Sequence, residues 1–143
     1  MMSNFPQKYF FIFANSPESK IHHNNMNAGL RLALTLLMDE FEVYILLTEE
    51  AIYLARKQGN NEQQTLDQFS EEQQNKQIQE DEGSFTPYEL IEGIISFGGH
   101  VLTCKSSLAL TGLKEEEIIE GVEILHLQNA VKIMIGCTET FVF

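Results

Sequence analysis

The sequence predicts an α/β fold, namely a three-layer α/β/α sandwich around a mainly parallel five-stranded sheet. Short apolar runs, typical of buried strands, alternate along the chain with segments whose apolar residues recur at helical spacing. Strands that alternate with helices are joined by crossovers, so they form a parallel sheet that helices cover on both faces. The chain has 143 residues, of which 43% are hydrophobic, and this suits a single domain with one core.

The chain begins with a β-α unit. An apolar run at residues 8–14, dominated by Phe and Ile, predicts the first strand, and the turn-forming residues 15–20 follow it as a loop. Asn24 or Asn25 can then cap a helix over residues 26–40, where Leu and Ala recur at helical spacing.

A second strand is predicted at residues 41–47. Thr48 follows it and precedes Glu49 and Glu50, which marks the start of a helix over residues 51–57, because acidic side chains stabilise a helix N-terminus.

Residues 58–85 differ sharply in composition from the rest of the chain. They contain eight Gln and seven Asp or Glu but only one Lys, and they carry half of the formal net charge of −12. Large apolar side chains are scarce there, so the segment can bury little surface. We predict an acidic insertion that forms a solvated loop or a loose surface helix.

Regular structure resumes with a clear helix start. Thr86 is a capping residue, Pro87 suits the first helical position, and Glu89 completes a capping box. The helix is expected to run to about Phe97, where the glycine pair at residues 98–99 ends it.

The third predicted strand, residues 100–103, leads directly to Cys104. Ser106 and Ser107 then read as the cap of a short helical stretch over residues 106–110. The remaining predicted elements are a turn at residues 111–112, a helix at 114–120, a strand at 122–127, a helix at 128–137 and a strand at 140–143.

Charge and hydropathy exclude several kinds of partner. A net charge of −12 disfavours DNA and RNA, because nucleic-acid affinity rests on Lys and Arg that neutralise phosphates. The longest apolar runs fall far short of the roughly 20 residues that a membrane helix needs. The first eight residues do not resemble a secretory signal. We therefore expect a cytoplasmic protein without a membrane partner.

Several kinds of catalytic site lack their motifs. No Gly-x-Gly-x-x-Gly or Walker-type loop follows the first strand, and no Gly-x-Ser-x-Gly elbow is present. The four histidines lack a metal-ligand spacing, and the two cysteines form no Cys-x-x-Cys pair. We predict neither a cofactor nor a metal.

Cys104 is the main candidate for chemistry. It is expected at the carboxyl end of a strand, where open α/β sheets bind ligands, and beside a helix N-terminus, which stabilises a thiolate. Lys105 adds a positive charge, and Ser106 and Ser107 are small and polar. The residues alone are equally consistent with a reactive thiol and with a buried structural cysteine.

The other candidates have a weaker basis in their positions. Cys137 ends an apolar helix, whose C-terminus disfavours a thiolate, so we predict a structural role. His22 and His23 follow the first strand and are candidates for a base near the thiol, since they fall at the same sheet edge. His100 begins the third strand and is expected at the opposite edge.

Three stretches occur in a recognisable order. They are residues 9–17, residues 41–48, and residues 99–104 followed by Ser-Leu at 107–108, Gly-Leu at 112–113 and Gly-Val at 121–122. In this order they resemble the DsrE/DsrF-like family of sulfur-relay proteins, which includes the TusD-type subunits of tRNA thiolation. The resemblance covers nearly the whole chain except residues 58–85.

The resemblance implies a three-layer domain that forms homo-oligomers, often dimers, trimers or hexamers. It also implies that Cys104 accepts a sulfane sulfur from a donor protein as a persulfide and passes it to an acceptor protein, as a sulfurtransferase. We hypothesise that the backbone amides of Lys105 to Ser107 stabilise the Cys104 anion, with the Lys105 charge as a helper. The alternative is a non-catalytic oligomeric module that binds a small molecule or a protein at this edge, with Cys104 lining the pocket.

Overall fold

The computed structural model describes residues 7–57 and 85–143, so most of the predicted acidic insertion lies outside the described residues. Within the described ranges the chain forms a five-stranded sheet in the order β4-β3-β2-β1-β5, and every neighbouring pair is parallel. The strands are β1 Lys8–Phe13, β2 Glu42–Leu47, β3 His100–Cys104, β4 Val122–Leu125 and β5 Glu139–Val142. The α-helices are α1 His23–Met38, α2 Pro87–Ser96, α3 Lys105–Thr111 and α4 Leu127–Ile135, and the 3-10 helices are η1 Glu49–Ala55 and η2 Glu115–Glu117.

Helices cover both faces of the sheet, as the alternation of strands and helices predicts. The larger core includes alternate residues of the central strands, such as Phe11 and Ile45, packed with buried residues of α1, η1 and α2. The smaller core contains the intervening residues Phe10, Leu46 and Leu102, packed with Ala130 of α4. Full burial of one such large apolar side chain contributes about 1.5–3 kcal/mol, so both cores stabilise the three-layer arrangement.

The strand order explains why α4 packs on the face of the sheet opposite the other helices that the structure describes. From β1 to β4 each crossover moves in the same direction across the sheet, whereas the connection from β4 to β5 returns past three strands to pair with β1. Parallel crossovers are almost always right-handed, so a reversal of direction places the connecting helix on the opposite face. The prediction of a three-layer α/β/α sandwich with a mainly parallel sheet is confirmed.

Helix α2, which leads into β3, begins with the predicted capping box. The Glu89 N–H donates to Thr86 Oγ1 at 3.2 Å, and the Thr86 N–H donates to Glu89 Oε1 at 3.1 Å. Gly98, with a φ of 91°, then turns the chain in a left-handed conformation that favours glycine. A Cβ at Gly99 would lie 2.5 Å from Ile94 Cγ2, so the close approach of α2 to β3 also requires glycine.

Three helix predictions differ from the structure. The helix predicted at residues 26–40 begins earlier, at His23, and its N-cap His22 makes no side-chain capping bond, so Asn24 and Asn25 lie within the first turn. The segment predicted as a helix at residues 51–57 is the 3-10 helix η1, and the helix predicted at residues 114–120 is reduced to η2.

One long-range pairing shortens both of these helices. Arg56 and Ile118 form an antiparallel β-bridge, and the Ile119 N–H donates to the Ala55 carbonyl at 2.8 Å. Both bridge residues adopt extended backbone angles, which end the helical turns beside them. Because the two partners lie far apart in sequence, local propensity does not predict this boundary.

Candidate functional site

Cys104 lies where β3 ends and α3 begins. It is the last residue of β3, pairs with Leu125 of β4, and is the N-cap residue of α3. The predicted cap at Ser106 and Ser107 is therefore wrong, because the helix begins at Lys105 and both serines lie in its first turn. On the other side of β3, Thr103 pairs with Leu47, the last residue of β2, and the Thr103 hydroxyl donates to the Leu47 carbonyl at 2.7 Å. This register brings Thr48, the residue that follows β2, to the same edge of the sheet as Cys104.

Three hydroxyl groups surround the Cys104 sulfur. Ser107 Oγ lies 3.0 Å from Cys104 Sγ, and Thr48 Oγ1 lies 3.8 Å from it. The Ser106 hydroxyl donates to the same sulfur at 3.2 Å. Ser106 and Ser107 were candidates from the sequence, whereas Thr48 was not. Its position directly after the second predicted strand could have identified Thr48, because the carboxyl ends of neighbouring parallel strands meet at one edge of the sheet.

Ser107 links the two strand ends through a second contact. Its Oγ accepts a hydrogen bond from the Glu49 N–H at 2.9 Å and lies 3.3 Å from Thr48 Oγ1. The Ser107 side chain is buried, so this small polar cluster is sealed on its inner side by the packing of α3 against η1.

The pKa of the Cys104 thiol is lowered from its ordinary value. Burial acts in the opposite direction and is the largest single influence, since it disfavours the charged form. The hydroxyl groups of Ser106 and Ser107, the backbone N–H of Ser107 and the Thr48 hydroxyl together outweigh the effect of burial, because each stabilises the thiolate. The sequence hypothesis placed this role on the backbone amides of Lys105 to Ser107, and the Ser107 N–H is one of the stabilising groups beside the side-chain hydroxyls.

Access to the sulfur is restricted. Cys104 is only 1% exposed, and Ser107 is exposed to the same small extent. Ser106 is exposed and Thr48 is partly buried, so the open side of the cluster is the side of Ser106. Lys105 is the first residue of α3 and is exposed, and it is not among the groups with the largest effects on the Cys104 pKa.

Cys137 has a different environment. It follows α4 and precedes β5, and its neighbour Thr138 donates its N–H to the carbonyl of Lys8, which begins β1. Cys137 therefore lies at the amino edge of the sheet, opposite Cys104. Its thiol donates to the Ile133 carbonyl at 3.3 Å, and burial raises its pKa. Both cysteines are free.

No histidine side chain that the structure describes is hydrogen-bonded to Cys104. Within the described residues no hydrogen bond joins His22 to Cys104, and the side chain of His23 lies outside what the structure describes. His100 lies at the amino end of β3, where its ring stacks on Tyr44 with centroids 4.5 Å apart. Residues 7–57 and 85–143 contain no group of three or more His, Cys, Asp or Glu side chains that could hold a metal ion. In the same ranges no helix has the length and apolarity needed to cross a membrane.

Known proteins share both the fold and the sequence pattern. At 28% identity over 126 residues, the uncharacterized protein MJ0989 of Methanocaldococcus jannaschii aligns with 87% of this chain and 89% of its own length. The uncharacterized protein MK0008 of Methanopyrus kandleri is 31% identical over 103 residues, which are 72% of this chain and 69% of that protein.

Among solved structures, the YchN protein of Escherichia coli superposes with a TM-score of 0.69 at 17% identity, covering 96% of this chain and 99% of that one. MTH1491 of Methanobacterium thermoautotrophicum, a protein of unknown function, gives 0.55 at 11% identity, covering 94% and 97%. At these identities the likeness concerns the fold. The family model described as the DsrE/DsrF-like family matches residues 7–143. The chain therefore belongs to the DsrE/DsrF-like family.

Proposed function

We propose that Cys104 carries sulfane sulfur as a persulfide and transfers it to a protein acceptor. In the loading step the Cys104 thiolate attacks the outer sulfur of a donor persulfide, and the donor leaves as a thiolate. In the unloading step an acceptor thiolate attacks the outer sulfur of the Cys104 persulfide, and Cys104 is released as a thiolate. Each exchange forms one bond to sulfur and breaks one S–S bond, so no external oxidant or reductant is required.

The observation that carries this proposal is the ring of hydroxyl groups around the Cys104 sulfur. A thiolate is the nucleophile in sulfur exchange, and a buried sulfur needs hydrogen-bond donors to hold that charge. Ser106 and Ser107 supply two such donors at 3.2 and 3.0 Å. The family adds general support, since DsrE/DsrF-like proteins suggest a sulfur-relay role with protein partners.

The packing around the sulfur implies a direction for the transfer. Ser107 is buried against Cys104, and Thr48 is partly buried, whereas Ser106 is exposed, so the side of Ser106 is the most open to solvent. The outer sulfur of a persulfide then extends past Ser106, whose exposed hydroxyl can rotate away or donate to it. In this proposal Lys105, also exposed, attracts anionic donors at the same opening.

The test is loading with a small sulfane-sulfur donor followed by intact-mass analysis and peptide mapping. We expect one added sulfur on Cys104 that reductant removes. Cys104→Ser should take up none, whereas the matched variant Cys137→Ser should load as the wild type does. Sulfur found on Cys137 while Cys104 stays unmodified would overturn the proposal.

The burial of Cys104 favours one alternative. A side chain that is 1% exposed is also what a structural cysteine looks like, and the protein would then be a non-catalytic module that binds a small molecule or another protein at this edge. In that case Cys104→Ser would bind the same partner as the wild type, and no donor would load the wild-type thiol.

We also propose that the chain forms a homo-oligomer, as the family resemblance implies. Helix α4 exposes Leu127, Val131 and Ile135, which recur every four residues and so form one stripe, and Ile135 is 74% exposed. Val142 on the edge strand β5 is 71% exposed.

Analytical ultracentrifugation of Ile135→Lys should show smaller particles than the wild type, whereas the exposed control Gln128→Lys should leave the particle size unchanged. An unchanged size in Ile135→Lys would exclude this stripe as the interface. The cytoplasmic location stays a prediction.

A further inference from the structure

Thr48 does not make the bond that its position predicts. It is the N-cap residue of η1, where a threonine hydroxyl commonly accepts a hydrogen bond from a backbone N–H of the first turn. In η1, all of whose residues are described, Thr48 makes no such side-chain bond. Its Oγ1 lies instead 3.3 Å from Ser107 Oγ and 3.8 Å from Cys104 Sγ. The hydroxyl is therefore available to the cluster around the sulfur.

Glu49 is the next residue, and its backbone is unusual. Its φ is 53°, in the left-handed region that residues other than glycine adopt uncommonly. In this conformation the Glu49 N–H donates to Ser107 Oγ at 2.9 Å. Thr48 and Glu49, two consecutive residues after β2, thus depart from local preference. Both lie within hydrogen-bonding distance of Ser107 Oγ. Departures of this kind concentrate at functional sites.

The two contacts set the direction of the Ser107 hydroxyl. A serine hydroxyl has one proton to donate and two lone pairs that accept. The Glu49 N–H occupies one lone pair. The Thr48 hydroxyl has one proton, and Ser107 Oγ at 3.3 Å lies closer to it than Cys104 Sγ at 3.8 Å, so we assign that proton to the other lone pair of Ser107. The Ser107 proton is then directed to Cys104 Sγ, 3.0 Å away. Because Ser107 is 1% exposed, bulk water does not compete for that proton.

We propose that Thr48 and the Glu49 N–H are positioning groups, which direct the Ser107 hydroxyl proton onto the sulfur of Cys104. This inference deepens the proposed persulfide function and rests on it. When an acceptor thiolate attacks the outer sulfur, the electron pair of the broken S–S bond moves to Cys104 Sγ. A donor that already points at this sulfur stabilises the charge as it develops, and a more stable thiolate leaves faster.

The test compares Thr48→Val, which keeps the shape of the side chain without its hydroxyl, with Thr48→Ser, which restores the hydroxyl. Both are made in a Cys137→Ser background, so that Cys104 is the only thiol. Thiolate formation is followed by ultraviolet absorbance across pH, and persulfide release to dithiothreitol is timed at fixed pH. Thermal unfolding shows that each variant is folded.

We expect Thr48→Val to move the thiolate titration to higher pH, so that the ratio of thiolate to thiol at a fixed pH falls about threefold, and to slow persulfide release. Ser107→Ala should lower this ratio about tenfold, because it removes the donor itself. Thr48→Ser should restore both wild-type values. A Thr48→Val protein that titrates and releases sulfur as the wild type does would overturn the inference, as would a folded Thr48→Ser that fails to restore the titration.

The titration separates this inference from the carrier proposal, because it needs no sulfur donor. If the thiolate curve moves as expected and no variant takes up sulfur, the positioning of Ser107 stands and the carrier proposal fails. If sulfur loads normally and the curve does not move, the carrier proposal stands and the positioning role fails.

Discussion

Cys104 and Cys137 place the same chemical group at opposite edges of one sheet. Burial opposes ionisation of both thiols, so burial alone does not distinguish them. The difference lies in the direction of their hydrogen bonds. Cys104 receives a hydrogen bond from the Ser106 hydroxyl and has two further hydroxyls within 3.8 Å, which favour the thiolate, whereas Cys137 donates its own proton to the Ile133 carbonyl, which favours the thiol. The hydroxyl neighbours of Cys104 therefore outweigh burial and lower its pKa, whereas the pKa of Cys137 follows burial and is raised.

The largest expected effect is the loss of one titration. The Cys104 pKa is lowered and the Cys137 pKa is raised, so the ultraviolet thiolate signal of the wild type should appear in two separate steps. Cys104→Ser should remove the step at lower pH completely, and Cys137→Ser should remove the step at higher pH. The comparison between the two thiols breaks down if Cys104→Ser retains the low-pH step.

The next effect concerns stability. Ser107→Ala should lower the free energy of unfolding by about 1–2 kcal/mol, because the Glu49 N–H loses its acceptor in a partly buried setting. Thr138→Ala is the matched change near Cys137. Its hydroxyl accepts from the Lys8 N–H at 3.2 Å in an exposed setting, so a loss of about 0.5 kcal/mol is expected. Urea denaturation measures both, and equal losses would contradict the role assigned to burial.

A smaller effect is the pH dependence of stability. The folded pKa of Cys104 lies below its unfolded value, so ionisation favours the native state. Its contribution is complete above the unfolded pKa of about 8.5 and is lost as pH falls through the folded pKa. For Cys137 the folded pKa is raised, so its contribution is present below about pH 8.5 and is lost as pH rises through the folded pKa.

Denaturation of the wild type and of each serine variant from pH 6 to pH 10 checks these signs. The stability advantage of the wild type over Cys104→Ser should grow with pH, and its advantage over Cys137→Ser should shrink. Two slopes of the same sign would show that the two environments do not differ as described.

The smallest effect is electrostatic. After burial, which raises it, the Cys137 pKa is lowered by Lys8 and raised by Glu42. Lys8 and Glu42 also form an ion pair at 3.6 Å. Glu42→Gln in a Cys104→Ser background should therefore move the Cys137 titration slightly to lower pH, since it removes a negative charge and frees the Lys8 charge. Glu139→Gln, on the nearby strand β5, serves as the control and should leave the titration in place. Identical titration curves for Glu42→Gln and Glu139→Gln would show that Glu42 has no specific effect on the Cys137 pKa.

Much of the fold follows from local sequence. Each predicted strand overlaps an observed one, and the central strands are buried on both faces, which requires continuous apolar runs. The Thr86 capping box formed as predicted, because its two bonds depend only on residues three positions apart. The lengths of η1 and η2 did not follow from local sequence, because the bridge between Arg56 and Ile118 joins residues that lie far apart in the chain. The order of the strands was not predicted either, because it depends on which apolar faces pack together.

The sequence by itself determined that a cysteine lies at the end of a strand and that two serines follow it at the start of a helix. Those relations are local, and backbone geometry alone places Ser106 and Ser107 near Cys104. Only the tertiary structure decided that Thr48 and the Glu49 N–H join the cluster, and that Cys104 is 1% exposed. The physical reason is the register between β2 and β3, which brings together groups more than fifty residues apart.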